Sequence, residues 1–397
     1  MRMFQYRLYP STKQQTRLYH AFDVCKETYN LLLELNISTY KDTGKGVTKF
    51  DFNKHLKGEY PEVFSQVVQN VSDRVSKSFK NFFRRVKEGA KEKGFPRFKS
   101  RVYSITYPQK GFKFKSERRL YCSKIGSIPI VLHRPPKGKV KTLTIKRNHA
   151  CQWFAVFACE VEPKNVKHKG ENVGIDVGIT PFATLSDETA IKNPRHLLKS
   201  ENRLRKLQQS LSRKKKGSNN RKKARFKVAR CHQGIVDQRN DFLHKLTYKL
   251  TKKYKLISIE DLKIKNMVKN HHLSKHIHDV SWSRFADMLS YKAVTCGGEV
   301  VKVNPRNTSK TCNNCGHIQD MPLNKRMFKC ESCGVNVNRD LNASRNIEDR
   351  GGQLRISTSV DTRPPHQHSV GASHVVEAET IHNPSISTKC LRVGGSP

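Results

Sequence analysis

The chain has 397 residues, 36% of them hydrophobic, and carries 77 Lys and Arg against 33 Asp and Glu, a formal charge of +44; that is chain enough for two or three domains, with far more positive charge than solubility needs. No apolar run approaches the roughly 18 residues of a membrane span, and Met1-Arg2-Met3-Phe4 opens no secretory signal, so the polyanion to expect is nucleic acid and the expected place is the cytoplasm, about the nucleoid. Eleven cysteines, seven of them scattered singly, argue against a disulfide framework and fit a reducing compartment.

In chain order, residues 3–9 alternate and end at Pro10, which predicts a strand. Between Ser11 and Lys41, apolar residues at Leu18, Phe22, Cys25, Tyr29, Leu32 and Leu33 recur at helical spacing. A second amphipathic helix is predicted over 64–86, with Gln69 and Asn70 off its apolar stripe. Beyond Gly94 the pattern changes to short alternating runs broken by Gly and Pro, out to Glu160. These strands, with the first one, predict a small antiparallel barrel that carries the helices as an insertion. Thr106 lies in one of the runs. Gln69, Asn70 and Thr106 are weak candidates for reading nucleic acid.

The run Val173-Gly174-Ile175-Asp176-Val177-Gly178-Ile179 reads as a buried strand with one carboxylate in its middle, which must be satisfied by a partner or hold a metal. A return strand is predicted over 182–185. Residues 203–230 then hold thirteen Lys or Arg and no acid, predicting a basic helix, a break at 217–220 and a second helix running towards Leu250. Arg203, Arg205, Lys206, Arg213, Lys214, Lys215, Lys216, Arg221, Lys222, Lys223 and Arg225 are candidates to neutralise phosphates; a solvated face is the alternative.

Tyr254–Leu262 is a second apolar strand ending in Glu260 and Asp261, which alternation places on opposite faces, so only one of them can join Asp176. His271, His272, His276 and His278 read as a solvated polar loop. A helix over 281–295 and a strand over 299–303 complete an α/β alternation. Cys312-x2-Cys315 and Cys330-x2-Cys333, each pair followed by Gly, have the spacing of two knuckles around one tetrahedral Zn²⁺, with all four positions taken by protein and hence structural. Asn338–Ile347 reads as a helix with Asp340 in its first turn. Residues 351–397, rich in Gly, Ser, Thr, Pro and His without periodicity, predict a disordered tail.

A strand Asp, a strand-end Glu and a helix-start Asp, in that order around an α/β core of a basic chain, form a set. Through "GIDVGI", "IEDL", the paired cysteine knuckles and "NRDLNASRNI", residues 1–350 resemble the TnpB (OrfB) proteins of prokaryotic transposons, relatives of the type V CRISPR effectors. The resemblance implies an α/β RNase H-like (RuvC) nuclease core over 169–304 and 338–350, with a zinc ribbon inserted at 305–337. It further implies a wedge-like β-barrel over 1–10 and 96–168, and a helical recognition domain over 11–95. Asp176, Glu260 and Asp340 become the catalytic triad. Asn338 stands where relatives commonly carry Asp, and Lys310 where Gln is common, neither of them in the triad.

Converging carboxylates stay ionised by holding cations, and hard oxygen donors select Mg²⁺ or Mn²⁺. Two ions about 4 Å apart would activate a water and steady the leaving oxygen of a phosphodiester. The partners implied are a guide RNA transcribed from the transposon end and a double-stranded target DNA with a short flanking motif. Two other readings are a catalytically silent RNA-guided regulator and an accessory protein that only binds transposon ends.

Overall fold

The computed structural model describes residues 1–161, 168, 170–322 and 324–360. The chain divides into two compact units, 1–162 and 163–397. No described helix is long and apolar enough to cross a membrane.

The first unit runs β1 (Arg2–Leu8), α1 (Thr12–Thr43), α2 (Lys49–His55), α3 (Ser65–Lys87), β2 (Ser104–Tyr107), β3 (Phe112–Ser116), β4 (Arg119–Cys122), β5 (Gly126–Val131), β6 (Lys139–Arg147) and β7 (Trp153–Glu160). Ser11 and Gln14 form a capping box that starts α1, and Gly44, at φ 68°, ends it in the left-handed conformation that glycine adopts without penalty. The strands form one antiparallel sheet in the order β2-β6-β7-β1-β5-β4-β3. The sheet curls: Tyr107 and Phe112, on its two edge strands, bring their rings to 6.5 Å, and Phe114 of β3 meets Phe157 of β7 at 5.1 Å. No hydrogen-bonded ladder joins β2 to β3 among the described residues, so this is a curled sheet with open edges and not a closed barrel. Its core is continuous with that of the helices, running through Phe4, Tyr6, Leu32, Leu33, Val75 and Phe157.

The second unit runs β8 (Asn172–Val177), β9 (Ala183–Leu185), β10 (Ala190–Ile191), α4 (His196–Ser212), α5 (Asn219–Lys253), β11 (Leu256–Glu260), α6 (Ile264–Met267), α7 (His271–Val280), α8 (Trp282–Cys296), β12 (Glu299–Val303), β13 (Met327–Lys329), β14 (Asn336–Asn338) and α9 (Arg339–Val360). Its main sheet has the order β10-β9-β8-β11-β12, antiparallel on the β9 side of β8 and parallel on the β11 side. This is the strand order of the RNase H fold expected from the sequence. Alternation sends Val173, Ile175, Ile257 and Ile259 into a core with Leu243, Leu250, Phe285 and Leu289. The opposite face is narrow, because Gly174 and Ser258 pair in register there and α9 lies directly on them. A Cβ on Gly174 would stand 1.9 Å from the Ser344 carbonyl oxygen, and one on Gly351 would stand 1.9 Å from Ser258 Oγ.

That close approach corrects one expectation. Gly351 and Gly352 do not end the helix, which continues to Val360; the glycine at 351 is what lets α9 reach the sheet. The remainder of the expected tail, 361–397, lies outside the described residues. The histidine stretch is likewise a helix, α7, whose Ile277 and Val280 are buried; their spacing was a helical signal hidden among polar residues.

Candidate nuclease and metal sites

Asp176 lies on the face of β8 that looks towards α9, one step along the register beyond the Ser258–Gly174 and Ile259–Ile175 pairs of β11. The same step on β11 is Glu260, so the parallel pairing puts the two carboxylates side by side. Asp340 comes to them from the first turn of α9, a helix that Asn338 starts by accepting the backbone N–H groups of Asp340 (2.9 Å) and Leu341 (3.3 Å). Burial, then the charges of Glu260 and Asp340, push the Asp176 carboxyl well above the usual range, with Arg339 opposing. Burial also raises Glu260, against the Thr308 hydroxyl and Arg350. Such a site favours gaining positive charge, and three hard oxygen donors suit Mg²⁺ or Mn²⁺. Asp261, as alternation requires, turns outward to Lys302 at 3.7 Å.

Each of two acids is held by protein donors that the sequence did not single out. Thr308 Oγ1 donates to Glu260 Oε1 at 2.6 Å. Arg339 donates to Asp340 Oδ1 through Nε and Nη2 at 3.3 and 3.2 Å, and Arg326 stands 3.7 Å from Oδ2. Arg339 adjoins Asp340 in the motif; Thr308 and Arg326 had no local signal, because turns of the ribbon segment bring them in, and Arg350 comes from α9 beyond the motif. The triad is looser than the cysteine cluster. Among the described residues, the one group of metal-ligating side chains with ligand atoms all within 4.8 Å of one another is Cys312, Cys315, Cys330 and Cys333.

In that cluster Cys312 and Cys333 are 3.7 Å apart at sulfur, and Cys315 and Cys330 are 3.6 Å apart. A tetrahedron of thiolates with Zn–S bonds of ~2.3 Å has S–S edges of about 3.8 Å, so the spacing fits zinc. Both knuckles are built alike. Gly316 and Gly334, at φ 77° and 74°, donate to the carbonyls of Cys312 and Cys330, whose own N–H groups reach the carbonyls of His317 and Val335. The backbone N–H of Val335 and the Asn314 amide draw the Cys333 thiol down to about 6, while burial pushes Cys312 up to about 11. One exposed, easily ionised sulfur and one shielded sulfur lie in the same cluster.

The basic stretch forms the end of α4, the turn and the start of α5. Arg203, Arg205, Lys206, Arg213, Lys214, Lys215, Lys216 and Lys223 are exposed, while Arg221, Lys222 and Arg225 are half-buried. Arg221 has a structural task, donating to the carbonyls of Leu211 (2.9 Å) and Lys214 (2.8 Å) and so closing the end of α4. Arg205 meets Glu201 at 3.6 Å. In the first unit Gln69 is exposed and Asn70 half-buried on α3, and Thr106 pairs with Thr144 across two strands at 2.9 Å.

Residues 156–271 match a family described as "Probable transposase", residues 282–347 a "Cas12f1-like, TNB domain", and residues 1–45, here strand β1 and the single helix α1, a "Helix-turn-helix domain". A protein of Streptomyces pristinaespiralis, provisionally named an RNA-guided DNA endonuclease, is 36% identical over 93% of both chains. A similarly named protein, InsQ of Escherichia coli K12, is 34% identical over 71% of this chain and 73% of its own. The Cas12f1 chain of a Cas12f1–sgRNA–target DNA complex superposes with a TM-score of 0.53 at 17% identity, over 85% of this chain and 82% of that one. With one relative 36% identical along 93% of both chains, another 34% identical over more than two thirds, and a type V effector fold under its three carboxylates, the chain belongs to the TnpB (OrfB) family of transposon proteins.

Proposed function

We propose that this protein is an RNA-guided DNA endonuclease that hydrolyses phosphodiester bonds at the junction of β8, β11 and α9. The observation that carries the reading is the burial of Asp176 beside Glu260 and Asp340, with its carboxyl raised by both. Asp176, Glu260 and Asp340 would hold Mg²⁺ or Mn²⁺, which when bound supply an activated water and stabilise the leaving oxygen. The protein sets up the rest. Asp176 is acted on by the charges of both other acids, Thr308 fixes the Glu260 carboxylate, and Arg339 and Arg326 gather positive charge about Asp340, where a scissile phosphate would also be attracted.

The four cysteines are read as a structural zinc site, since all four positions of a tetrahedron are filled by protein. The curled sheet and helices of the first unit are read as the wedge and recognition parts. The exposed cations of α4 and α5 would hold the backbone of the guide RNA or its heteroduplex, leaving sequence choice to base pairing and to a short flanking motif. That the RNA derives from the transposon end follows from the family alone. The test is cleavage of a target matching the co-purified RNA, with Mg²⁺ present. Wild type is expected to cut, and Asp176→Ala to lose at least about a thousandfold in rate while keeping RNA affinity. Near-normal cutting by Asp176→Ala sinks the assignment.

A further inference from the structure

Thr308 is nearly fully buried between β12 and the first cysteine knuckle, away from any motif of the nuclease. Its segment is fastened to α9 at four carbonyls. Arg350 donates to those of Asn304 (3.0 Å) and Arg306 (2.7 Å), and the Asn346 amide donates to those of Thr308 (2.8 Å) and Thr311 (2.7 Å). Asn342 adds a second bond to Thr311, and its oxygen receives the N–H of Asn313, inside the knuckle. With its backbone fixed on both sides, the Thr308 hydroxyl has two acceptors in reach, Glu260 Oε1 at 2.6 Å and the Pro305 carbonyl at 3.1 Å. It has one proton to give, and a carboxylate is the stronger acceptor.

We propose that Thr308 is a positioning residue of the nuclease centre, whose hydroxyl sets the orientation in which Glu260 presents its free oxygen to a divalent cation. This rests on the nuclease reading above. The hydroxyl takes one lone pair of Oε1, which favours Oε2 as the oxygen offered towards Asp176. A Glu side chain has three rotatable bonds, and one charge-assisted hydrogen bond from a clamped segment restricts that freedom. The clamp also runs through Asn342 and Asn346, on the same helix as Asp340. Two of the three acids are thereby referred to one rigid element.

The test titrates Mn²⁺ into the zinc-loaded, RNA-bound protein. It reads the concentration giving half the rise in melting temperature, beside single-turnover cleavage at saturating target DNA. Thr308→Val, nearly the same shape without the hydroxyl, is expected to raise that concentration by about 10- to 100-fold and to slow cleavage at limiting Mn²⁺. RNA affinity, zinc content and the melting temperature without Mn²⁺ should not change. Thr308→Ser restores the hydroxyl and should restore both readouts. A wild-type Mn²⁺ response from Thr308→Val overturns the proposal, as does a Thr308→Ser variant as impaired as Thr308→Val. Loss of zinc, or a lowered melting temperature without Mn²⁺, in Thr308→Val assigns the residue to packing, and also overturns it. Asp176→Ala run alongside separates the two readings: if it still cuts, the nuclease assignment fails, whereas a dead Asp176→Ala beside a normal Thr308→Val strikes only Thr308.

Discussion

Gly174→Ala adds one methyl group to the strand that carries Asp176, two residues before it. The new Cβ would lie 1.9 Å from the Ser344 carbonyl oxygen, 2.5 Å from the Glu348 nitrogen and 3.0 Å from the Glu348 Cβ. Two of these are backbone atoms in the middle of a helix, so no side chain can swing away. Ordinary contact begins near 3.4 Å, which requires α9 to withdraw by about 1.5 Å or the sheet to bow by as much. Overpacking of this kind costs about 1–3 kcal/mol, at the upper end here because backbone must move. The displacement also carries Asp340 away from Asp176 and Glu260, and a misplacement of about 1 Å is worth roughly a hundredfold in rate. Urea denaturation followed by circular dichroism should show the lowered midpoint, and single-turnover cleavage the larger loss, with zinc content unchanged. Gly234→Ala is the control, since its Cβ would meet nothing within 4 Å on an exposed helical position; it should stabilise by up to about 1 kcal/mol. If Gly174→Ala keeps both the wild-type midpoint and cleavage within about threefold, α9 does not bear on the sheet as described.

Three other outcomes follow from the same geometry. Cys330→Ser should abolish zinc binding and loosen the ribbon together with residues 304–313, read as a loss of one zinc per chain by elemental analysis and a lower melting temperature; full zinc content would refute the ligand set. Replacing Lys214, Lys215 and Lys216 by Gln should weaken RNA binding for every sequence alike and reduce the log–log salt slope by about 0.7–0.9 for each phosphate no longer neutralised, and an unchanged slope would make them a solvated face. Asp187 is drawn below the carboxylate range because hydrogen bonds from Lys253 (2.8 Å), the Tyr254 hydroxyl and Thr189 outweigh its partial burial. A depressed folded pKa adds stability above the unfolded value of about 4, and this is lost as pH falls through the folded one. Asp187→Asn should therefore lower the melting temperature at pH 7 and flatten its fall under acid, whereas parallel curves for the two proteins would rule the contribution out.

The parts of this site legible in the sequence are those written in local periodicity or fixed spacing. Period-two alternation around Asp176 and up to Glu260 foretold both strands and the outward turn of Asp261, because side-chain direction on a strand is a matter of parity. The paired cysteines declared themselves by a fixed spacing, two residues between the sulfurs of each pair and a glycine behind them, and the four sulfurs do come together. What stayed hidden depends on tertiary contact. Gly351 reads as a stop until the sheet is seen 1.9 Å from where its Cβ would be. Arg221 reads as one more phosphate contact until its guanidinium is found on carbonyls at the end of α4 and in the turn after it. Thr308 has no pattern at all, being brought to Glu260 by a turn that sequence spacing does not encode.

The three acids arrive from the ribosome in the order 176, 260, 340, and the order has a consequence. Strand β8 is the middle of its sheet, yet its parallel neighbour follows only after α4 and α5, and the helix that closes its second face is the last described element of the chain. Such distant pairings close slowly, and during synthesis at roughly 5–20 residues per second the basic α4–α5 hairpin is exposed well before α9 exists. If α4 and α5 hold RNA and the three acids cut, as proposed, the nascent protein would bind RNA while it still lacks Asp340 and would gain its capacity to cut only with α9, the last described helix. A chain truncated before residue 339 would be a phosphate-binding protein with no complete nuclease.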